Sequence, residues 1–449
     1  MRSHLSWLLL SLLVGCATRT ERAVHASVRA DTYGLAQARQ SHAPADAALL
    51  GGGVDGLVAY AVSDSPGLQA AHARVEAAAQ RAIAARRPPE PEIMVGYFVR
   101  QSEMLIGRER ARAGVKQALP WPQGLAASGD AAAAEAEVVL SALDVEVLAL
   151  RERVAQGWWA LWRLRRLAEV FDQAIAAISV MEAAASGAQA AGGAGLSEVQ
   201  RLVVQRIRAE EARRSLDAEA AEVEAAIVAA VGAPAGAEVP TPGGPPSRGL
   251  PVDAAEVLSA RAQANPQVKG LLQGSLASEA RARSEAVARL PGVVLGAEWM
   301  EMAPGVMDGR ATPGRDAVMV SLGLRVPLWQ RSYTASVRAA RAEARAKELD
   351  AEVAKDAAAA EVAALMARLH DAHRQQERLS TELLPAAQTS LEAALGGLPS
   401  GRVRISDALL SWRDELELSE ALITQQARFA ATWASLERRV GGPVERRQP

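Results

Sequence analysis

A chain that repeats itself at long period must fold its two halves alike, and this one repeats: Pro66, Pro91 and Gly96 recur as Pro266, Pro291 and Gly296, each 200 positions on. Proline and glycine punctuate secondary structure, so matched punctuation predicts matched element boundaries. The correspondence continues where Gly114-Val115-Lys116 and Leu119-Pro120-Trp121 are answered by Gly323-Leu324-Arg325 and Pro327-Leu328-Trp329. Gly192 with Leu196-Ser197-Glu198-Val199 is answered by Gly401 with Ile405-Ser406-Asp407-Ala408, now at a shift of 209. Each copy closes on a glycine, Gly232 and Gly441. The shift grows mainly because residues 301–316 form a longer connection than residues 102–109. A period near 200 is too long for a solenoid unit and predicts a duplicated domain half.

Between these marks the chain is alanine-rich and helical in pattern, and alanine has the best helix propensity and allows close helix approach. A helix is predicted from about Pro66 to Arg87, and a much longer one from Leu125 to about Ala191, with no proline between Pro122 and Pro234. Sixty-odd helical residues make a rod on the order of 100 Å, more than a globular domain needs and enough to reach across a periplasm. The second copy predicts the same from Thr334 to Leu398, with Pro385 kinking or reshaping its last turns. Return helices are predicted at 196–231 and 405–440, so each copy holds a long helical hairpin. The predicted organisation is a leader at 1–15, an arm at 16–55 ending in Gly51-Gly52-Gly53, a first repeat at 56–232, a proline-rich linker at 233–251, a second repeat at 252–441 and a frayed tail at 442–449.

Two short runs in each copy alternate as strands do. Val318, Val320, Leu322, Leu324 and Val326 fall on one face, and Met319, Ser321, Gly323 and Arg325 on the other. Ile93, Val95, Tyr97 and Val99 alternate with Met94, Gly96, Phe98 and Arg100, while Arg112, Gly114 and Lys116 alternate with Ala113 and Val115. The run Val293–Met300 is less clean, since Val294 and Gly296 share a face with Glu298. Strands are predicted at about 93–101, 110–119, 293–302 and 317–326, close to the length that a tilted membrane-spanning strand requires. Four strands cannot close a barrel, so in a membrane several protomers must pool them. Soluble hairpins packed on helices are the alternative.

The amino terminus bears on compartment. Arg2 and His4 precede the apolar run Leu5–Val14, too short to span a bilayer comfortably, and the run ends at Leu13-Val14-Gly15-Cys16. This resembles the bacterial lipobox, which implies an acylated Cys16 as the first mature residue. Cys16 is the only cysteine, so no intramolecular disulfide or cysteine metal cluster can form. A net charge of −2 gives no electrostatic footprint for nucleic acid. Nothing in the chain resembles a nucleophile elbow, a phosphate-cradling loop or a His-Glu-x-x-His run, and the chain reads as no enzyme and as needing no cofactor.

With a lipobox, two copies, strand pairs between helices and glycine-marked hairpin tips, the chain resembles the outer-membrane efflux protein family, the TolC-like channels of tripartite pumps, from about residue 60 to 441. Leu119-Pro120-Trp121-Pro122 and Val326-Pro327-Leu328-Trp329 look most like the branch serving heavy-metal cation exporters. The resemblance implies a mainly α fold with a membrane β-barrel part. Long α-helical hairpins would form a periplasmic α-barrel, and each subunit of a homotrimer would give four strands to one twelve-stranded outer-membrane barrel. It implies as partners a periplasmic adaptor (a membrane fusion protein), an inner-membrane RND-type pump and outer-membrane lipid.

The resemblance places the adaptor-contacting tips at Gly195, Leu196 and Ser197, after Ala194, and at Arg402, Arg404 and Ser406. It places acidic residues at the periplasmic aperture, where Asp407 matches the first of two acidic positions and Leu410 replaces the second. Three-fold symmetry would gather Asp407 and Glu198 at a narrow mouth and concentrate cations there. The plainer reading is that both carboxylates answer a helix dipole and that Ser197 and Ser406 are helix caps. His370 and His373 sit at helical spacing, but structural zinc takes four ligands and the sequence brings none together. Trp158, Trp159 and Trp162 read as packing between helices, and Arg163, Arg165 and Arg166 as a solvated face. A conduit for type I protein secretion and a non-transport periplasmic coiled-coil lipoprotein remain open as other functions.

Overall fold

A computed structural model of the chain describes residues 52–100, 103–104, 106–190, 195–240, 243–307, 309–398 and 400–447. Cys16 and the leader, the arm before Gly52, and Gly192 and Ala194 at the first tip lie outside the described residues. The first copy runs α1 (Gly53–Asp64), α2 (Pro66–Ala84), β1 (Glu92–Tyr97), β2 (Glu103–Met104), β3 (Gly107–Leu119), α3 (Pro122–Ala190) and α4 (Leu196–Val231). The second runs α5 (Ala255–Gln263), α6 (Pro266–Val287), β4 (Gly292–Ala303), β5 (Gly305–Met307), β6 (Arg310–Thr312), β7 (Ala317–Arg325), α7 (Gln330–Arg378), a π-helical turn (Leu379–Leu383), α8 (Leu384–Gly397) and α9 (Ile405–Val440). The described chain divides into two compact units, one of residues 73–141 and 269–351, the other of 52–72, 142–268 and 352–447.

The duplicated punctuation has duplicated work. Gly232 and Gly441 end α4 and α9 in the left-handed conformation, at φ 76° and 85°, where a side chain is strained. Each abuts the residue pair that opens the helix of its own copy. A Cβ on Gly232 would meet Pro66 Cδ and Ser65 Cα at 3.0 Å, and one on Gly441 would meet Pro266 Cδ at 3.3 Å. The matching glycine and proline are therefore one contact, used twice.

Pro122 sits at the first position of α3, where its missing N–H costs nothing, so the helix begins three residues before the predicted Leu125 and runs for 69 residues. Pro385 acts otherwise. Its ring crowds the carbonyl one turn back and removes a donor, and the helix widens to the π-helical turn just before it, with Leu384 N–H bonded to Leu379 O. Ser380 and Thr381 hydroxyls donate back to Glu377 O at 3.2 and 2.7 Å. The predicted kink is thus a π bulge.

In the second unit the core falls into separate clusters. Leu258, Val362, Leu365, Leu369, Phe429, Trp433 and Leu436 form one; Ile178, Met181, Val199, Leu202, Leu409 and Trp412 form another. Trp158 and Trp162 are buried, Trp159 meets Trp162 edge-on at 6.3 Å, and Trp162 packs with Leu167, Ile423 and Ala427. Arg165 is ion-paired with Glu224 and Arg166 with Glu169, so the arginine face is tied to acidic neighbours. The tail, read from sequence as frayed, is held over its described part. Arg447 N–H donates to Leu250 O at 2.8 Å, Val252 N–H to Glu445 O at 3.1 Å, Val444 is buried, and the Arg446 guanidinium lies 4.0 Å over Trp433. The linker is packed as well: Arg248 donates to Ser380 Oγ at 3.3 Å, and His373 Nδ1 to Arg248 O at 3.1 Å.

The first unit is built around one antiparallel sheet in the order β1-β3-β4-β7, with β2 paired to β3. The hairpins β1–β3 and β4–β7 belong one to each copy, and the β3–β4 ladder joins the copies from Leu119↔Val293 to Arg108↔Ala303. β1 and β7 are its two edges. The longer connection in the second copy folds into the small β5–β6 hairpin. No described helix is long and apolar enough to cross a membrane.

Candidate functional site

Residues directly opposed in an antiparallel ladder share a face, so the register sorts the sheet into two. One face carries Ile93, Val95 and Tyr97 of β1, Ala113 and Val115 of β3, Leu295, Ala297 and Trp299 of β4, and Val318, Val320 and Leu322 of β7. Its edge-strand members stand open: Val95 is 80% exposed and Val320 79%. Gln117 interrupts it near one end and is satisfied by donating to the carbonyls of Pro89 and Ala118, each at 2.8 Å. Glu301 ends it, meeting Arg110 at 3.4 Å. Contiguous exposed apolar surface on this scale marks an interaction surface.

The opposite face carries glycines beside long polar side chains. Gly96 opposes Arg112, Gly114 opposes Glu298, and Gly296 lies between Lys116 and Ser321. A Cβ on Gly296 would stand 2.5 Å from Ser321 Oγ and 3.3 Å from Lys116 Cγ, so the missing side chain is what lets its neighbours lie across the strand. Arg112 reaches Glu109 at 3.0 Å and Glu298 at 3.5 Å, and its guanidinium lies 4.6 Å over the Phe98 ring. Sequence alternation assigns these residues to a face; the ion network is a product of register.

Where the strands meet the helices, a cavity of about 500 Å³ is lined by Leu119, Trp121, Leu125, Val287, Val293 and Trp329, among others. Trp121 Nε1 donates to Pro291 O at 2.9 Å. Trp329 and the neighbouring Leu328 are about three-quarters exposed. The repeated Leu-Pro-Trp and Pro-Leu-Trp motifs therefore place exposed tryptophans at this junction.

The hairpin tips lie in the other unit. Gly195 and Arg404 are the N-caps of α4 and α9, with nearly identical extended backbones (φ −84°, ψ 148° and φ −76°, ψ 148°); Gly195 has no side chain to cap with, and that of Arg404 makes no capping bond. This corrects the reading of Ser197 and Ser406 as caps: each is the second helical residue, and Ser406 Oγ donates to Asp407 Oδ1 at 3.2 Å. Glu198 and Asp407 lie in the first turns, where a carboxylate answers the helix dipole. Asp407 is also held by Arg404, whose Nε is 3.2 Å from Oδ2. The Arg-x-x-Asp spacing could have revealed this pair. Arg402 Nε donates to Ser400 Oγ at 2.8 Å.

Both helix starts rest on one core, in which Val199 and Leu202 join Ala408, Leu409 and Trp412. Trp412 Nε1 donates to Ala174 O at 2.9 Å, a buried cross-helix bond that sequence reading missed. Leu196 and Leu410 remain about 60% exposed. Among the described residues no group of three or more His, Cys, Asp or Glu could hold a metal. His370 Nδ1 donates to Met366 O at 2.7 Å, the turn below it.

Neither a family model nor a curated protein sequence matches this chain. Solved structures do. The outer-membrane channel OprN aligns at TM-score 0.72 and 17% identity, over 87% of this chain and 90% of that one. The outer membrane protein VceC of Vibrio cholerae aligns at 0.71 and 17%, over 87% and 96%. The outer membrane channel CmeC of Campylobacter jejuni aligns at 0.71 and 11%, over 88% and 87%. This chain has the fold of TolC-like outer-membrane channels. The fold is thus shared with chains that have fewer than one residue in five in common with this one.

Proposed function

We propose that three copies of this chain form an outer-membrane efflux channel, passively conducting solutes delivered by an inner-membrane RND-type pump through a periplasmic adaptor. The observation that carries this reading is the two-faced sheet with open edges. In hydrocarbon each unpaired backbone N–H or C=O costs several kcal/mol, so an apolar-faced sheet entering a bilayer must pair its edges. Pairing β7 of one subunit with β1 of the next is a heterologous contact that closes after a whole number of copies. The apolar face then meets lipid, and the face bearing Arg112, Lys116 and Glu298 meets water.

The tips at Gly195, Leu196, Ser197, Arg402, Arg404 and Ser406 meet the adaptor in this reading, and Asp407 and Glu198 face the aperture. Because Arg404 lies against Asp407, the mouth carries less net negative charge than three free carboxylates would. Cys16 bears the lipid that anchors the arm. The cargo is proposed as heavy-metal cations or drugs, on the likeness of Leu119-Pro120-Trp121-Pro122 to the metal-exporting branch. Heat-modifiable trimers in outer-membrane fractions, together with single-channel conductance of the purified protein, are the expected results. A monomer in the periplasmic fraction that is silent in planar bilayers sinks the proposal.

A further inference from the structure

The two copies differ most in charge just beside the sheet. Residues 281–291 and 325–347, which end α6 and begin α7, hold nine Lys and Arg against two Glu. The matching residues 81–91 and 116–138 of the first copy hold four of each sign. Of the nine cations, Arg283, Arg289, Arg325, Arg331, Arg338 and Arg341 are exposed, and none of these six is ion-paired among the described residues. The duplication makes this asymmetry informative, since the same helices in the first copy fold without it.

We propose that this basic belt docks anionic phospholipid headgroups in the leaflet on the helix side of the sheet, a reading that rests on the sheet crossing the outer membrane. Position supports it. Arg289 lies between α6 and β4, and Arg331 and Arg338 fall in about the first 12 Å of α7. The apolar face stops at the same level, where Trp121 and Trp329 are exposed, as aromatic side chains are at a membrane–water boundary. A headgroup layer is roughly 5–8 Å deep, and a long arginine side chain extends several ångström to reach it. Charge selects the headgroup. A groove of about 380 Å³ between α6 and α7 is lined by Arg283 and Arg341 together with Glu279 and the ion-paired Arg345 and Glu348. Unpaired guanidinium groups offer forked donors to a phosphodiester, and each cation near a surface strengthens attraction to anionic lipid about fivefold.

The test uses the full-length purified protein in nanodiscs of phosphatidylcholine with or without phosphatidylglycerol, reading retained lipid by native mass spectrometry and conductance in bilayers of the same composition. Wild type is expected to retain phosphatidylglycerol selectively, less so at high salt. Combined Arg289→Gln, Arg331→Gln and Arg338→Gln should cut that selectivity roughly a hundredfold and leave trimers and conductance intact. Arg81→Gln with Arg87→Gln, in the matching segment 81–91 of the first copy, should leave selectivity unchanged. Equal retention of both lipids by wild type, undiminished selectivity in the triple variant, or displacement of the lipid by inorganic phosphate overturns the proposal while the channel stands. Failure to insert into any bilayer overturns both.

Discussion

Replacing Val320 by arginine asks whether the open face of the sheet meets water or lipid. Val320 lies in the middle of β7, opposite Ala297, and is 79% exposed, so the new side chain displaces no protein contact. On a water-facing surface such a change moves stability by about 0.5 kcal/mol at most. On a lipid-facing strand near the bilayer midplane it costs about 2–4 kcal/mol in each subunit, roughly 30- to 1,000-fold in the ratio of folded to unfolded protein. Ser321→Arg is the control one residue along. Ser321 shares its face with Lys116 and opposes Gly296, whose absent Cβ leaves room for a longer chain to lie across the strand. Urea titration of protein reconstituted in vesicles, followed by tryptophan fluorescence and the heat-modifiable band, measures both. Val320→Arg is expected to lose a large part of its folded population and Ser321→Arg almost none. The reverse order would mean that the faces are assigned backwards, and two neutral variants would mean that neither face meets lipid.

Other outcomes follow from single contacts. Gly232→Ala should destabilise by about 1–2 kcal/mol from its left-handed backbone alone, and by more than Gly441→Ala, because its Cβ would meet Pro66 and Ser65 at 3.0 Å rather than Pro266 at 3.3 Å; thermal melts of the two variants compare them directly. In reversal-potential measurements, Arg404→Gln should shift the channel towards cations by releasing Asp407, and Asp407→Asn should shift it away; unchanged potentials in both would remove the tip from the conduction path. Burial, and then the neighbouring charge of Glu417, raises the carboxyl of Glu420 above its ordinary value. A raised carboxyl binds its proton more readily when folded, so this group costs stability as pH rises through its folded value. Glu420→Gln should therefore raise the melting temperature at pH 8 and lose that advantage near pH 4; an advantage growing towards acid would contradict the burial argument.

Much of this molecule is local and therefore legible in one dimension. Helical period over Leu196–Val231 and Ile405–Val440, and alternation over Ala317–Arg325, are properties of neighbours in sequence, and the structure has helices and a strand there. The repeated Gly232 and Gly441 likewise announce a left-handed helix end, because glycine alone takes that conformation freely. The candidate site was less legible. Leu196, Arg404 and Asp407 could be placed at helix starts, but the bond from Trp412 to Ala174 joins residues that only packed helices bring together.

Tertiary structure decided whatever depends on distant segments meeting. Alternation alone cannot say that β3 pairs with β4 across the two copies, and it is that register which sets Arg112 against Glu298 and clears Gly296 for Lys116. A proline-rich linker and a short polar tail look loose when read separately, yet they pair at Leu250 and Arg447 because each supplies the backbone partners that the other lacks. The repeat fixed two hairpins and two strand pairs in advance, since periodicity is local. Only the folded chain assembled them into one sheet with an apolar face, a charged face and two edges left to pair.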